Sequence, residues 1–553
     1  MSASSTVGTE SSPETATAPS ETGSTWPRGV LLVVFVVGLA LRMASAALPE
    51  RLLTRITVDD AFYYLRTAQE LGLGNGSTFD GINSTNGYHP LWLWMLTPFT
   101  SVFGPGTGTV RLLILLQAAI AAATFLLAAR LLLRWLPPLA VALGFAVWWL
   151  TPISVLSSVS GVESSLACLM VVLLITAAFR YVDSPSRWSA VVLGAVAGLA
   201  FLTRTDTAFA SAAVVVWVVV QVRTRPLRTL AAQAASAALA GLVVVLPWLV
   251  WNLATFGTIE QASTRARPMV LWQLQTGDAT PRFAEASNAA LSYLVDDWLG
   301  DLGWSPLLAL GAMIVALWAW RRFGFQKGQT RRLLLLAVLL LGSGTLLAAF
   351  HSGVRLLARE YYFEWVRMAV GILVAAAVAG LVSAMASTAT PESRTARLHR
   401  ANLCLCLLTG ATTLLASAAT VQYLRDPPFG WQMSMVEAGR WLEEHTDPNE
   451  RIVSFNSGLI GYFSQRPVIN LDGVVNNASL AALEERQLAR YICDSGAKWY
   501  VDFDPVVLEE YRPFLGGDEP RLNLDRVTTI RGDGADRYGR SELEVFRLSC
   551  GPP

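Results

Sequence analysis

The stretch TVDDAFYYLRTAQELGLGNGSTFDGINSTNGYHPLW, residues 57–92, places two adjacent carboxylates in a polar segment directly after the first membrane-length apolar run. Thr57 followed three residues later by Asp60 has the spacing of a capping box, which predicts that Asp60 ties down the start of a helix. Asp59 is then spare. On that helix Asp59, Tyr63 and Arg66 share a face, so a carboxylate, a phenol and a guanidinium point the same way. The plainer alternative is that both acids only favour the positive end of a helix dipole.

Working outward, the 553 residues are 53% hydrophobic and 15% charged, with a mean hydropathy of +0.44. Such a chain is too apolar for a soluble protein of its length and reads as a polytopic membrane protein. A net charge of +1 gives no support to nucleic acid as a partner. Residues 1–28 are dominated by Ser, Thr, Glu and Gly and are expected to form a disordered cytoplasmic tail. No Lys or Arg precedes Arg28, so the apolar run 29–48 is expected to be retained as an anchor able to cross ~30 Å of hydrocarbon, with Arg42 snorkelling to an interface. PLWLWMLTPFTSVF, opened by Pro90, is too short to span and predicts an interfacial helix anchored by Trp92 and Trp94. Ten further spans are predicted near 110–129, 138–156, 162–180, 188–203, 207–222, 229–251, 304–320, 333–350, 364–386 and 401–421.

The positive-inside rule orients these eleven helices. With the N-terminus in the cytoplasm, the inner loops hold Arg130 and Arg134; Arg180 and Arg187; Arg223, Arg225 and Arg228; Arg321, Arg322, Lys327, Arg331 and Arg332; and Arg394, Arg397 and Arg400. Most acids fall on the other side: Asp59, Asp60, Glu70, Asp80, Glu163, Asp206, Asp296, Asp297 and Asp301. The expected division is therefore a transmembrane domain over 29–421, with an outer loop 49–109, and an extracytoplasmic α/β domain over 422–553. In that last domain the pattern predicts helices over MSMVEAGRWLEEH and SLAALEERQLARYICDSG, and strands over RIVSF, PVINLD, KWYVD and ELEVFRL. Cys168, Cys404 and Cys406 lie in apolar runs, whereas Cys493 and Cys550 can pair if the domain faces an oxidising compartment.

An outward DD after the first span, an amphipathic helix, an interfacial helix, many spans and an outer C-terminal domain resemble the GT-C superfamily of membrane glycosyltransferases. The resemblance rests on DDAFYYL, TFDGINSTNGYHPLW, GLAFLTRTD (198–206), REYYFEW (359–365) and IGYFSQRPVINLDGVVNN (460–477). The layout is also similar to that of actinobacterial arabinofuranosyltransferases that use decaprenyl-phosphate arabinose. It implies an inverting enzyme that takes a sugar, arabinofuranosyl and mannosyl being two options, from a polyprenyl phosphate to an extracytoplasmic glycan acceptor. It also implies that Asp59 is the base, with Asp60 raising its proton affinity by like-charge repulsion.

Arg355 and Arg359 lie at head-group depth in the short loop 351–363, where an arginine fork suits phosphate, beside Tyr361, Tyr362 and His351. The alternative is that they only anchor the interface. Arg204 and Asp206 either pair with each other or line the cavity, and Glu163 either approaches the cavity or simply starts a helix. Asn86, Gly87, Tyr88 and His89 form a turn before Pro90; His89, titrating near neutrality, either contacts phosphate or sugar or caps the helix. Tyr63, Arg66, Asn86 and Tyr88 are further cavity candidates, and Asn456, Tyr462 and Asp472 are candidates on the acceptor side. A zinc site is not supported by four histidines, while a divalent cation on the outer acids is an option. The Asn-X-Ser/Thr matches at Asn75, Asn83 and Asn477 read as chance, since glycans on the first two would obstruct the loop. Two other functions fit the layout: transfer to a protein hydroxyl, and a non-enzymatic lipid or solute carrier. A carrier calls for paired halves with helices broken at mid-membrane depth, and the polar residues cluster at the outer face instead.

Overall fold

The structure is a computed structural model that describes residues 26–279, 282, 284–287, 310–315, 329–355, 359–503, 506–517, 520–532 and 542–552. The first apolar run forms α1 (Trp26–Ala46), followed by the polar helices α2 (Glu50–Ile56) and α3 (Asp59–Gly72) and by α4 (Pro90–Phe103), which Pro90 opens. Next come α5 (Thr107–Leu132), α6 (Pro138–Trp149), α7 (Pro152–Val159), α8 (Ser164–Asp183), α9 (Arg187–Thr203), α10 (Thr207–Val222) and α11 (Leu227–Phe256). After the polar α12 (Ala262–Thr276), α13 (Gln329–Phe350), α14 (Glu364–Ser387) and α15 (Pro391–Arg425) complete the described bundle.

Among the described residues seven helices are long and apolar enough to cross a membrane, α6 and α7 pass together as a pair bent by 68°, and α9 and α10 are shorter apolar helices. Helices occupy the positions of ten of the eleven predicted spans, and seven of them are long and apolar enough to cross a membrane on their own. The eleventh, near 304–320, lies largely outside the described residues, as do most of the tail, Asp296, Asp297, Asp301, Arg321, Arg322 and Lys327. The protein is a multi-pass membrane protein. α11 and α15 leave broad apolar faces bare, with Val243 61% and Leu414 73% exposed, as helices facing lipid should.

The bend has a visible cause and a visible remedy. Pro152 opens α7 immediately after α6 ends, so carbonyls at the break lose their helical donors. Arg42 supplies replacements. It does not snorkel as predicted but is fully buried, donating to Trp149 O at 3.0 Å, Ser154 O at 3.4 Å, Gly38 O at 3.0 Å and Ser158 Oγ at 2.7 Å. Its guanidinium also sits 3.5 Å from the centre of the Trp149 ring. An arginine with four oxygen acceptors and a π-face is more stable there than at the interface.

The C-terminal region folds as an α/β unit. α16 (Gln432–His445), α17 (Gly458–Ser464), α18 (Asn477–Glu484), α19 (Leu488–Asp494) and α20 (Val506–Tyr511) surround strands β1 (Ile452–Ser454), β2 (Val468–Asn470), β3 (Trp499–Asp502), β4 (Arg521–Arg531) and β5 (Glu542–Gly551). The strand order is β2-β1-β3-β5-β4: the first three are parallel and the last two add antiparallel. The single helix predicted over 479–496 is instead α18 and α19, divided where Arg486 takes a φ of 56°. β4 and α17 add to the predicted set, and Cys493 and Cys550 are disulfide-bonded.

The bundle ends separate by contact. α2 meets the C-terminal unit through Arg440–Glu50 and Arg55–Asp426, and Gly106, just before α5, exchanges hydrogen bonds with Tyr462. The opposite end carries the Arg332–Asp183 pair and the Arg225 bond to Val182 O. Where α6 crosses α14 the backbones nearly touch: a Cβ on Gly371 would lie 2.7 Å from Gly144 O, and one on Gly144 would overlap Gly371 O. Gly144→Leu is therefore expected to destabilise the bundle by about 3 kcal/mol, seen as a fall in thermal midpoint of the detergent-solubilised protein. An unchanged midpoint would show that the crossing is not close-packed.

Candidate active site

α3 begins at Asp59, and the capping box does not form. Val58 is the cap residue and makes no side-chain bond, while Thr57 Oγ1 turns back to Leu53 O at 2.9 Å. Freed from capping, the two carboxylates point to different partners. Asp59 Oδ1 accepts the Leu459 N–H of α17 at 2.7 Å, and Asp60 Oδ2 accepts the Tyr361 hydroxyl at 2.6 Å. The first bond brings the C-terminal unit onto the bundle. The second brings the REYYF segment beneath the DD pair.

Gly458 makes the Asp59 contact possible, since a Cβ there would fall 2.6 Å from Asp59 Oδ1. Asp59 is only partly exposed, and burial first, then the neighbouring Asp60 and Asp472 charges, push its carboxyl up to about 7 against the pull of the Leu459 N–H. Asp472 behaves likewise: burial raises it to about 7, although Val474 N–H donates to it at 2.9 Å and Arg267 stands close enough to lower it. Arg267 in turn reaches Tyr511 Oη at 3.2 Å and Glu510 at 3.5 Å. Three carboxylates, Asp59, Asp60 and Asp472, thus act on one another from two halves of the chain. Neither Arg267 nor Tyr511 carries a sequence signal, because each becomes functional in aspect only when α12 and α20 meet.

Beside the carboxylates lies a cationic group. Arg204 is 5% exposed and pairs with both Asp206 oxygens, at 3.0 and 2.6 Å, and with Glu163 at 2.5 Å; its guanidinium lies 4.3 Å from the centre of the Tyr362 ring. Glu163, which caps the start of α8 without a side-chain cap bond, is 2% exposed and locked in this pair. His351 Nε2 approaches Asp206 at 3.4 Å and its ring lies 4.6 Å from that of Tyr362. His89 Nε2 lies 3.7 Å from Glu163. Burial depresses the His89 imidazole to about 4, so it is neutral near pH 7, contrary to the expectation of a group titrating near neutrality. It stands at the cap position of α4 without a side-chain cap bond. The Nδ1 atoms of His89 and His351 are buried with no partner among the described residues, which leaves polar capacity for a ligand or water. Arg355 and Arg359 flank the group; Arg355 donates to Ser263 O at 3.2 Å, and both are close enough to act on Tyr362.

Other candidates have structural employment. Arg66 is 8% exposed, paired with Glu70 at 2.7 Å and bonded to Gln465 at 3.1 Å, and Tyr63 packs edge-on against Phe79. Asn86 is a fully buried joint that bonds Asn252 at 2.8 Å, Glu260 O at 3.0 Å, Ala262 N at 3.0 Å and Asn477 at 3.1 Å. Tyr88 is 6% exposed and bonds Ser77 at 2.6 Å. Tyr462 holds Gly106, and Asn456 binds the buried Asp502 at 2.8 Å rather than an open surface. Among the described residues no group of three or more His, Cys, Asp or Glu is arranged to hold a metal ion.

A family model described as a domain of unknown function, DUF8728, matches residues 422–540. Comparison with curated proteins gives no match. Among solved structures, ArnT from Cupriavidus metallidurans bound to undecaprenyl phosphate is similar, with a TM-score of 0.58 at 13% identity over 94% of this chain and 98% of that one. ArnT from the same organism in the apo state gives a TM-score of 0.56 at 13% identity, with coverage again 94% and 98%. Archaeal oligosaccharyltransferase AglB from Archaeoglobus fulgidus, in complex with an inhibitory peptide and a dolichol-phosphate, gives 0.47 at 14% identity over 88% of this chain and 70% of that one. The likeness to ArnT shows that this chain shares its fold.

The raised acids give stability a definite pH dependence. A carboxyl whose folded-state value is about 7 against 3.8 unfolded contributes stability that is present below 3.8 and lost as the pH rises through 7. His89, depressed to about 4 by burial, works the other way below 6.5. The readout is therefore differential: relative to the wild type, Asp59→Asn is expected to gain thermal midpoint as the pH rises from 5 to 8. A difference that shrinks over that range would contradict the assignment.

Proposed function

We propose that this protein is an inverting glycosyltransferase that moves one sugar from a polyprenyl phosphate to a glycan acceptor outside the cytoplasmic membrane. The observation that carries the reading is one pair of adjacent tyrosines. Tyr361 binds Asp60, and Tyr362 lies under Arg204 within electrostatic reach of Arg355 and Arg359, so an acid group and a cationic group meet across a single peptide unit. Transfer from a lipid phosphate needs that combination: a base for the acceptor and cations for the leaving group. The likeness to a protein whose structure was solved with undecaprenyl phosphate supports the same class of donor.

In this mechanism Asp59 takes the proton of the attacking hydroxyl, whose oxygen forms a bond to the anomeric carbon. The bond from that carbon to the phosphate oxygen breaks, and the polyprenyl phosphate leaves with the electron pair, inverting the sugar. A carboxyl with its proton affinity near 7 suits a base working at neutral pH. Arg355 and Arg359 neutralise the departing phosphate, with neutral His89 as a hydrogen-bonding neighbour. Asp60 and Tyr361 hold the acidic and cationic parts in register. Asp472, Arg267 and Tyr511 stand on the side where the C-terminal unit meets the acceptor.

The proposed topology has the N-terminus in the cytoplasm and both the site and residues 422–553 outside. The Cys493–Cys550 bond supports this, because disulfides persist in oxidising compartments.

Membranes containing the wild type are expected to transfer one radiolabelled sugar from a panel of polyprenyl-phosphate arabinose, mannose, glucose and galactose. Asp59→Asn should lose at least about 100-fold and Arg359→Ala should raise the donor KM, both remaining folded by thermal midpoint. Full activity in Asp59→Asn would remove the proposed base, and label appearing on protein hydroxyls instead of glycan would move the acceptor to polypeptide.

A further inference from the structure

The end of the bundle away from the site holds a groove between α1 and α5 with a volume of about 590 Å³. Its mouth is cationic. Arg28 stands at the start of α1 and Arg130 and Arg134 at the end of α5, all three exposed and none in an ion pair with a described residue. Arg332 and Arg225 at this end are engaged with Asp183 and Val182 O, and Arg180, Arg187, Arg223 and Arg228 are exposed but do not line the groove. Below the mouth the groove is apolar, walled by Leu32, Phe35 and Leu126. Phe35 packs on Phe125 with ring centres 5.1 Å apart, so the wall is fixed by the core behind it. Leu32 and Leu126 remain 60% and 54% exposed.

We propose that this groove seats an acidic phospholipid, its phosphate between Arg28, Arg130 and Arg134 and an acyl chain along Leu32, Phe35 and Leu126. A zwitterionic lipid fits the apolar part equally well, so selectivity comes from the head group. Three guanidiniums with no ion-pair partner among the described residues leave positive charge at one mouth that a lipid with net negative charge neutralises, and each forks to phosphate oxygens. The ligand is membrane lipid rather than free phosphate, because half of the site is hydrocarbon. The proposal is independent of the transferase reading, since the groove and the carboxylates occupy opposite ends of the bundle.

The test is native mass spectrometry of the full-length protein released from nanodiscs of mixed phosphatidylglycerol and phosphatidylcholine. The wild type is expected to retain one phosphatidylglycerol in preference to phosphatidylcholine. Arg130→Gln with Arg134→Gln should lower that preference about 25-fold, at roughly fivefold per cationic side chain. A second variant, Leu126→Trp, fills the groove with all three arginines intact and should also lose the retained lipid. Equal retention of the two lipids by the wild type would overturn the proposal. So would a preference that survives in Leu126→Trp, which would assign the effect to surface charge alone.

Discussion

The structure depends on keeping Arg204 charged where water is scarce. A buried guanidinium persists only when its charge and its donors are both answered, and here Asp206 takes two donors, Glu163 another, and the Tyr362 ring covers its face. Those partners come from separate parts of the chain. Glu163 precedes α8, Arg204 and Asp206 occupy the turn from α9 to α10, His351 follows α13, and Tyr362 precedes α14. One cation therefore fixes the relative heights of these helices at one end of the bundle. Removing Glu163 or Asp206 alone would strand charge in a low-dielectric site, so the group holds together as a unit.

Much of the bundle was legible because crossing hydrocarbon demands a length and composition that few other structures need. Arg42 was misread for an instructive reason: a terminal arginine ordinarily snorkels, but the break between Trp149 and Pro152 frees carbonyls that only a donor from another helix can satisfy. In the C-terminal unit β4 is hard to read because most of its side chains face water, none is fully buried, and its alternation slips at the irregularity between Arg526 and Thr528. In the site, REYYF and the DD pair were visible as charges at membrane depth. Their wiring was not. A capping box is a local pattern, whereas the partners of Asp59 and Asp60 lie 400 and 301 residues away. Asn86 and Tyr462 likewise looked available, since no local rule tells a polar side chain at a surface from one that closes an interface.

The bundle and the C-terminal unit share their tightest contacts around the proposed chemistry. Gly458 admits Asp59, and Gly87 admits the Val474 carbonyl, which a Cβ would overlap. Asn86 joins α11, the segment before α12, and Asn477 of α18 through side-chain bonds. Small residues and a buried amide thus supplement an apolar core that runs across this junction, where Phe62 packs on Tyr462 and Phe463. Asp472, carried by the C-terminal unit, adds its charge to the environment that sets the acidity of Asp59.

That sharing has a consequence in time. Leu459 is made 400 residues after Asp59, and at a synthesis rate of 5–20 residues per second the interval is about 20–80 s. Throughout it the DD segment is already threaded at the membrane while its partner does not yet exist. Asp59 then has the acidity of an ordinary hydrated carboxylate, and gains that of the finished site only when α17 docks. Under the proposed mechanism a half-made chain is thereby chemically idle without an inhibitor, because the last step of assembly and the tuning of the carboxylate are the same event.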